Sequence, residues 1–149
     1  MPRQSVLSGL GESSGAVLLE FAFVLPFLLL LITGIFDFGF AFREYLLVTN
    51  AAREGARMAV LPGYSDQDVR DRVSDYLTKA GGVPAAMIVD ATIATGPPDS
   101  PPGATYLVKT VTAQVNHVFS LIAPFSTNYG TVSLKAVSVM RVEIPAGAP

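Results

Sequence analysis

Few residues in this sequence have side chains that could do chemistry, and their spacing does not form an active site. The 149-residue chain has one histidine, no cysteine and no tryptophan, which excludes thiol catalysis, disulfides and thiolate metal sites. His117 lies on the apolar-leaning face of an alternating segment, where a structural role is more common than catalysis. We therefore expect the chain not to be an enzyme, and we expect neither a metal site nor a cofactor.

One short motif imitates a catalytic one. Gly11-Glu-Ser-Ser-Gly15 matches the G-x-S-x-G pattern of hydrolases, which requires a preceding strand and His and Asp partners around the serine. Here a polar, glycine-rich segment without predicted structure precedes the motif and a hydrophobic run follows it, so we interpret the match as chance. The formal net charge of −2 likewise gives no basis for binding nucleic acid.

Glu20 is the most unusual ionisable residue, because it lies near the start of the apolar run Ala16–Phe36. As a helix, this run would be about 31 Å long, enough to cross the hydrocarbon core of a bilayer. A carboxylate inside such a segment is costly. Glu20 either reaches water at the interface or pairs with an amino group. That amine would appear on Ala16 if the chain were cut after Gly15.

The helix is predicted to continue beyond the membrane to about Leu61, because Pro62-Gly63 is the first clear stop. Pro26 is expected to kink the helix within the membrane. Apolar and small residues recur at helical spacing along the continuation, and we expect this stripe to be covered by the rest of the chain. Its members are Ile35, Phe38, Phe42, Tyr45, Thr49, Ala52, Ala56 and Ala59.

Two further sets of residues in this helix are candidates for partner contacts. Small residues that lie mostly four apart would let another backbone approach closely, whether it belongs to a partner helix or to the chain's own sheet. They are Ala51, Ala52, Gly55, Ala56 and Ala59. The polar set could be solvated, could form a Glu54–Arg57 pair, or could contact a partner. It consists of Asn50, Arg53, Glu54 and Arg57.

Residues 62–149 predict a small α+β head. Ser65 is the predicted N-cap of a helix from Asp66 to Ala80. Three segments with the two-residue period of strands follow, separated by a proline-rich loop at 96–103 and by a second loop. We expect an antiparallel meander with one face buried on the protruding half of the long helix. The predicted strands are Met87–Thr95, Tyr106–Phe119 and Thr131–Ile144.

The order of Gly15, four residues, Glu20 and an apolar helix resembles the prepilin cleavage motif of type IV pilins and pseudopilins. The wider stretch resembles the TadE-like family of the Tad (Flp) pilus assembly system, and its most specific block is Asn50–Arg57. The other matching segments are Gly15–Ala22, Leu25-Pro26, Gly34–Gly39 and the strand Thr131–Glu143.

This resemblance implies a pilin-like minor pseudopilin in the bacterial cytoplasmic (inner) membrane. It implies a leader, residues 1–15, that a prepilin peptidase removes between Gly15 and Ala16. A transmembrane segment (16–36), an extramembrane helix (37–61) and an extracytoplasmic head (62–149) would follow, with the N-terminus cytoplasmic. The implied partners are other pilin-like subunits, the pilus assembly machinery and the lipid bilayer. The alternative is an uncleaved membrane-anchored binding or adhesion domain in which the Gly15–Glu20 match is incidental.

Overall fold

One long helix dominates the computed structural model, which describes residues 9–96, 107–121 and 130–142, with side chains from Gly15 onward. This helix, α1, is Gly9–Ala59 and contains Pro26 without ending there. It begins earlier than the sequence predicts, so that the part of the expected leader from Gly9 onward is helical, while residues 1–8 lie outside the described ranges. By length and composition α1 can cross a membrane.

A second helix, α2, is Asp66–Asp75 and begins with the predicted Ser65 cap. The Ser65 hydroxyl accepts a hydrogen bond from the Asp68 amide, and the Asp68 carboxylate accepts one from the Ser65 amide at 2.7 Å. Hydrogen bonds from Ser65 to the carboxylate lower the pKa of Asp68. The predicted helix to Ala80 is completed by a π-helical turn, Tyr76–Ala80, and Gly82 follows with a positive φ.

Three strands form one antiparallel sheet in the order β1-β2-β3, as the alternating segments predict. They are β1, Ile88–Gly96, β2, Val108–Val118, and β3, Thr131–Arg141. The α+β class is therefore confirmed. Most of the predicted proline-rich loop and the expected continuation of β3 beyond Val142 lie outside the described residues.

Helix α2 and the sheet both pack on the C-terminal half of α1, and the hydrophobic core lies between these three elements. Helix α1 contributes mainly small side chains to this core, while α2 and β2 contribute branched and longer ones. The main members are Val48, Ala51, Ala52 and Ala56 from α1, Val69 and Val73 from α2, Leu77 from the π-helical turn, and Val111, Ala113 and Val115 from β2.

The head covers a different face of α1 from the one that the spacing of apolar residues predicts. Four residues of the predicted stripe, Ile35, Phe38, Phe42 and Tyr45, are exposed. The covered face runs through Asp37, Ala41, Glu44, Val48 and Ala51. The prediction followed the largest apolar side chains, whereas a sheet can approach a helix closely only where the side chains are small. The two faces meet near the C-terminal end, where Ala52 and Ala56 belong to both.

Candidate functional site

The predicted cleavage motif lies on the uncovered N-terminal half of α1. Gly15, Ala16 and Glu20 are all exposed within the described structure. A side-chain carbon added at Gly15 would meet nothing within 4 Å. The Gly15–Ala16 peptide is nevertheless inside a helix that begins at Gly9, so a protease that binds extended backbone would have to unwind this turn.

Glu44 and His117 form a buried polar pair where the C-terminal end of β2 meets α1. Nδ1 of His117 lies 2.8 Å from Oε2 of Glu44, and the side chains are only 5% and 13% exposed, respectively. Because a carboxylate oxygen accepts, Nδ1 is the donor. The other ring nitrogen, Nε2, is buried without a hydrogen-bond partner among the described residues, and the Phe119 ring packs against the imidazole in an edge-to-face arrangement at 4.9 Å.

Asp37 is a second buried carboxylate, two helical turns before Glu44. It is 2% exposed, and its two carboxylate oxygens accept from the Leu121 amide at 3.1 and 3.3 Å. One residue further along α1, the Phe38 ring lies 5.6 Å from the Phe119 ring. These contacts attach the end of β2 to α1 at the contact between head and helix that lies closest to the N-terminal half of α1 among the described residues. Within the described residues, no group of three or more His, Cys, Asp or Glu side chains could hold a metal ion.

The sequence pattern places His117 on the apolar-leaning face of its strand, and Asp37 lies within the segments that carry the family resemblance, but Glu44 is not among the predicted residues. The signal was available, since Asp37, Ala41, Glu44 and Val48 are separated by four, three and four residues. That spacing marks one face of a helix. A search for apolar periodicity alone skips the two acids, although they belong to the face that the head covers.

The small residues of α1 lie beneath the chain's own head. Ala51, Ala52, Gly55 and Ala56 are buried, and Ala59 is half-buried. A side-chain carbon at Gly55 would lie 2.6 Å from Cγ2 of Val73 and 3.1 Å from Cγ1 of Val111. Of the two packing roles left open by the sequence, this geometry favours contact with the chain's own α2 and β2.

The polar family-motif residues lie on the opposite side of α1. Asn50, Arg53 and Arg57 are exposed, and none of them has a polar partner among the described residues. Glu54 pairs with Arg72 of α2 at 2.9 Å rather than with Arg57. An open groove of about 390 Å³ lies at this end of α1 and is lined by Glu54, Arg57, Met58, Leu61, Tyr64 and Arg72.

Residues 15–57 match the family model described as TadE-like protein, a range that begins at the cleavage motif and ends at Arg57. No curated protein matches the chain, and no solved structure does. The family suggests a Tad pilus-associated protein. Over residues 15–57, which hold the apolar segment and most of the part of α1 on which the head packs, the chain is similar to TadE-like proteins.

Proposed function

We propose that this protein is a minor pseudopilin-like membrane protein that assists assembly of a Tad (Flp) adhesive pilus. The observation that carries the proposal is the TadE-like match over residues 15–57, which coincides with one continuous apolar helix. In this proposal α1 anchors the protein in the bacterial inner membrane. The N-terminus is cytoplasmic, and the head is presented on the other side, where pilin-like subunits and the assembly machinery meet it.

Processing by a prepilin peptidase after Gly15 belongs to the same proposal. Cleavage there creates an amino group on Ala16, just over one helical turn before Glu20. The exposed Glu20 carboxylate then pairs with this amine or with the amine of a neighbouring subunit, which offsets the cost of a charge close to the hydrocarbon region.

Mass spectrometry of the mature N-terminus in the native host tests this processing. We expect the native chain to begin at Ala16 and a Gly15→Leu variant to keep its leader. Nothing packs at Gly15, so the variant should still insert into the membrane and fold. The matched control is Gly39→Leu, whose position also has nothing within 4 Å and should leave cleavage intact. A native chain that keeps residues 1–15 contradicts processing.

The alternative function is an uncleaved, membrane-anchored binding or adhesion domain. Two observations favour it: the helical backbone at Gly15 and the open groove near Arg57. Two measurements distinguish the functions: the N-terminus of the protein in the native strain, and pilus assembly in a strain that lacks the protein. An intact leader and normal pili, respectively, would favour this alternative. A mature N-terminus at Ala16 and loss of pili, respectively, would support the pseudopilin role.

A further inference from the structure

The uncharged part of α1 extends beyond the apolar run that the sequence marks as the membrane segment. Between the exposed residues Glu20 and Arg43, Asp37 is the one charged residue, and it is 2% exposed. The uncharged outer surface therefore covers Phe21–Phe42, a helical length of about 33 Å. A bilayer's hydrocarbon core is about 30 Å thick. The length between the two exposed charges thus matches the bilayer.

The head already contacts α1 within this uncharged length. Leu121 donates its amide to Asp37, and the Phe119 ring packs on Phe38. We call Phe36–Phe42 of α1 and Val118–Leu121 after β2 the base of the head. Its large apolar side chains are open to the surroundings. They are Phe36, Phe38, Phe40 and Phe42 on α1, and Val118 and Leu121 at the end of β2.

Within the described residues, exposed charges are also absent from the end of the sheet that adjoins the base of the head. On β3, the first charged residue is Lys135, which pairs in register with Gln114 of β2. Asp90 of β1 lies at a similar level, next to the Val89–Gln114 pair. Gln114 is four residues from Val118, which is about 13 Å along the strand. Two ionisable groups that lie nearer to the base, Glu44 and His117, are buried against each other.

We propose that the base of the head is embedded in the leaflet on the head's side of the membrane, so that lipid acyl chains surround α1 from Phe21 to Phe42 and cover Val118 and Leu121. Arg43, which donates a hydrogen bond to the Gly81 carbonyl at 2.9 Å, then lies at the depth of the lipid headgroups. Tyr45 lies at a similar depth, where amphipathic aromatic side chains are favoured. The burial of Asp37 follows from the same arrangement, because a carboxylate at this depth must be screened from lipid. The inference depends on membrane anchoring by α1 and does not depend on the pilus role.

Lipid quenching of single tryptophans tests the proposal directly, because the chain has no tryptophan of its own. Val118→Trp reports on the base, and Val139→Trp is the matched control. Both valines are exposed, 45% and 57%, and both lie on the outer face of the sheet. They are about 26 Å apart along the strands. Leu31→Trp is the reference for the middle of the bilayer.

The full chain is placed in phosphatidylcholine vesicles that contain lipids brominated near either end of the acyl chain. We expect bromine near the headgroup to quench Val118→Trp most strongly and bromine near the chain terminus to quench Leu31→Trp most strongly, while Val139→Trp is not quenched. Equal quenching of Val118→Trp and Val139→Trp, with Leu31→Trp quenched, overturns the inference alone. Absence of quenching at Leu31→Trp overturns the anchor as well.

A smaller substitution provides an independent measurement. The chain has no cysteine, so Val118→Cys and Val139→Cys each introduce a single thiol. A membrane-impermeant maleimide, added to vesicles with the head outside, should label Val139→Cys and react many-fold more slowly with Val118→Cys. In detergent-free urea both thiols should react alike, which controls for intrinsic reactivity. Equal labelling rates in the folded, membrane-bound protein contradict an embedded base.

Discussion

At the scale of single residues, Asp37, Glu44 and His117 hold the head on its helix. Each is almost fully enclosed, and each has a partner on the opposite element. Removing one member of a buried pair leaves the other polar group without compensation, which costs more than the pair itself contributes. These residues therefore fix where the sheet sits along α1, since a shift by one helical turn would leave both acids unpaired.

A double-mutant cycle on Glu44 and His117 measures this pairing. We expect Glu44→Ala to lower the free energy of unfolding of the head by about 1–3 kcal/mol, because it leaves a buried imidazole N–H without an acceptor. The double variant with His117→Ala should cost less than the sum of the single variants. Hydrogen exchange of the β2 amides, measured in lipid nanodiscs, reports these differences.

The matched control is Glu54→Ala, on the same helix. Glu54 also pairs with a head residue, Arg72, but their side chains are 32% and 51% exposed. Exposed ion pairs contribute about 0–1 kcal/mol, so this variant should change β2 protection little. Equal losses for Glu44→Ala and Glu54→Ala would show that burial does not distinguish the two pairs.

At the scale of secondary-structure elements, the close approach of α2 and β2 to α1 depends on Gly55. A methyl group there would meet two valine side chains, one from each element, at 2.6 and 3.1 Å. Valine side chains are short and stiff, so relief requires movement of α2 or of β2. Gly55 thus serves packing inside the chain, although its spacing from Ala51 and Ala59 also suits a partner helix.

We expect Gly55→Ala to lower the free energy of unfolding of the head by about 1–3 kcal/mol, the usual cost of overpacking. Helix propensity alone would give the opposite sign, a gain of up to about 1 kcal/mol. Gly39→Ala is the control, because nothing lies within 4 Å of that position. Thermal unfolding in nanodiscs, followed by circular dichroism, measures whether each variant is stabilised or destabilised. A stabilised Gly55→Ala would contradict close packing at this site.

The elements themselves follow from local patterns, but the face that joins them does not. The Ser65 cap, the glycines after Ala80 and the alternation in β2 each depend on neighbouring residues, and the predicted elements are confirmed. Which side of α1 the sheet covers depends on contacts over 70 residues apart in sequence, such as Glu44 with His117. A single sequence does not contain that pairing as a local signal, and the exposed phenylalanines gave a competing, more apolar stripe.

At the scale of the whole molecule, the C-terminal half of α1 has one side that is covered by the head and another that is exposed. The side that faces the head is filled by the chain itself, whereas Asn50, Arg53 and Arg57 on the other side are exposed. In the proposed pilus role, we therefore expect contact with a pilin-like subunit to use the polar residues of the motif rather than its small residues. An acidic surface on that subunit would complement the two arginines.

The double variant Arg53→Ala, Arg57→Ala should leave the head's stability within about 0.5 kcal/mol of the original, as is usual for surface substitutions. We expect fewer pili per cell by electron microscopy and weaker crosslinking to pilin-like subunits. Arg70→Ala, Lys79→Ala removes the same charge from α2 and from the π-helical turn, at a half-buried and an exposed position respectively, and should preserve assembly. Equal pilus numbers in both double variants would exclude this face as the contact surface.

The head is attached along α1 from Asp37 to Ala59, and no proline interrupts that stretch. The part of α1 that follows Pro26 therefore tilts together with the head. Ala59 lies about 33 Å along the axis from Asp37. A tilt of about 20°, the average for membrane helices, would move this end sideways by roughly 11 Å. A change in the tilt of the membrane segment against a neighbouring helix would thus displace the far end of the head by several ångströms.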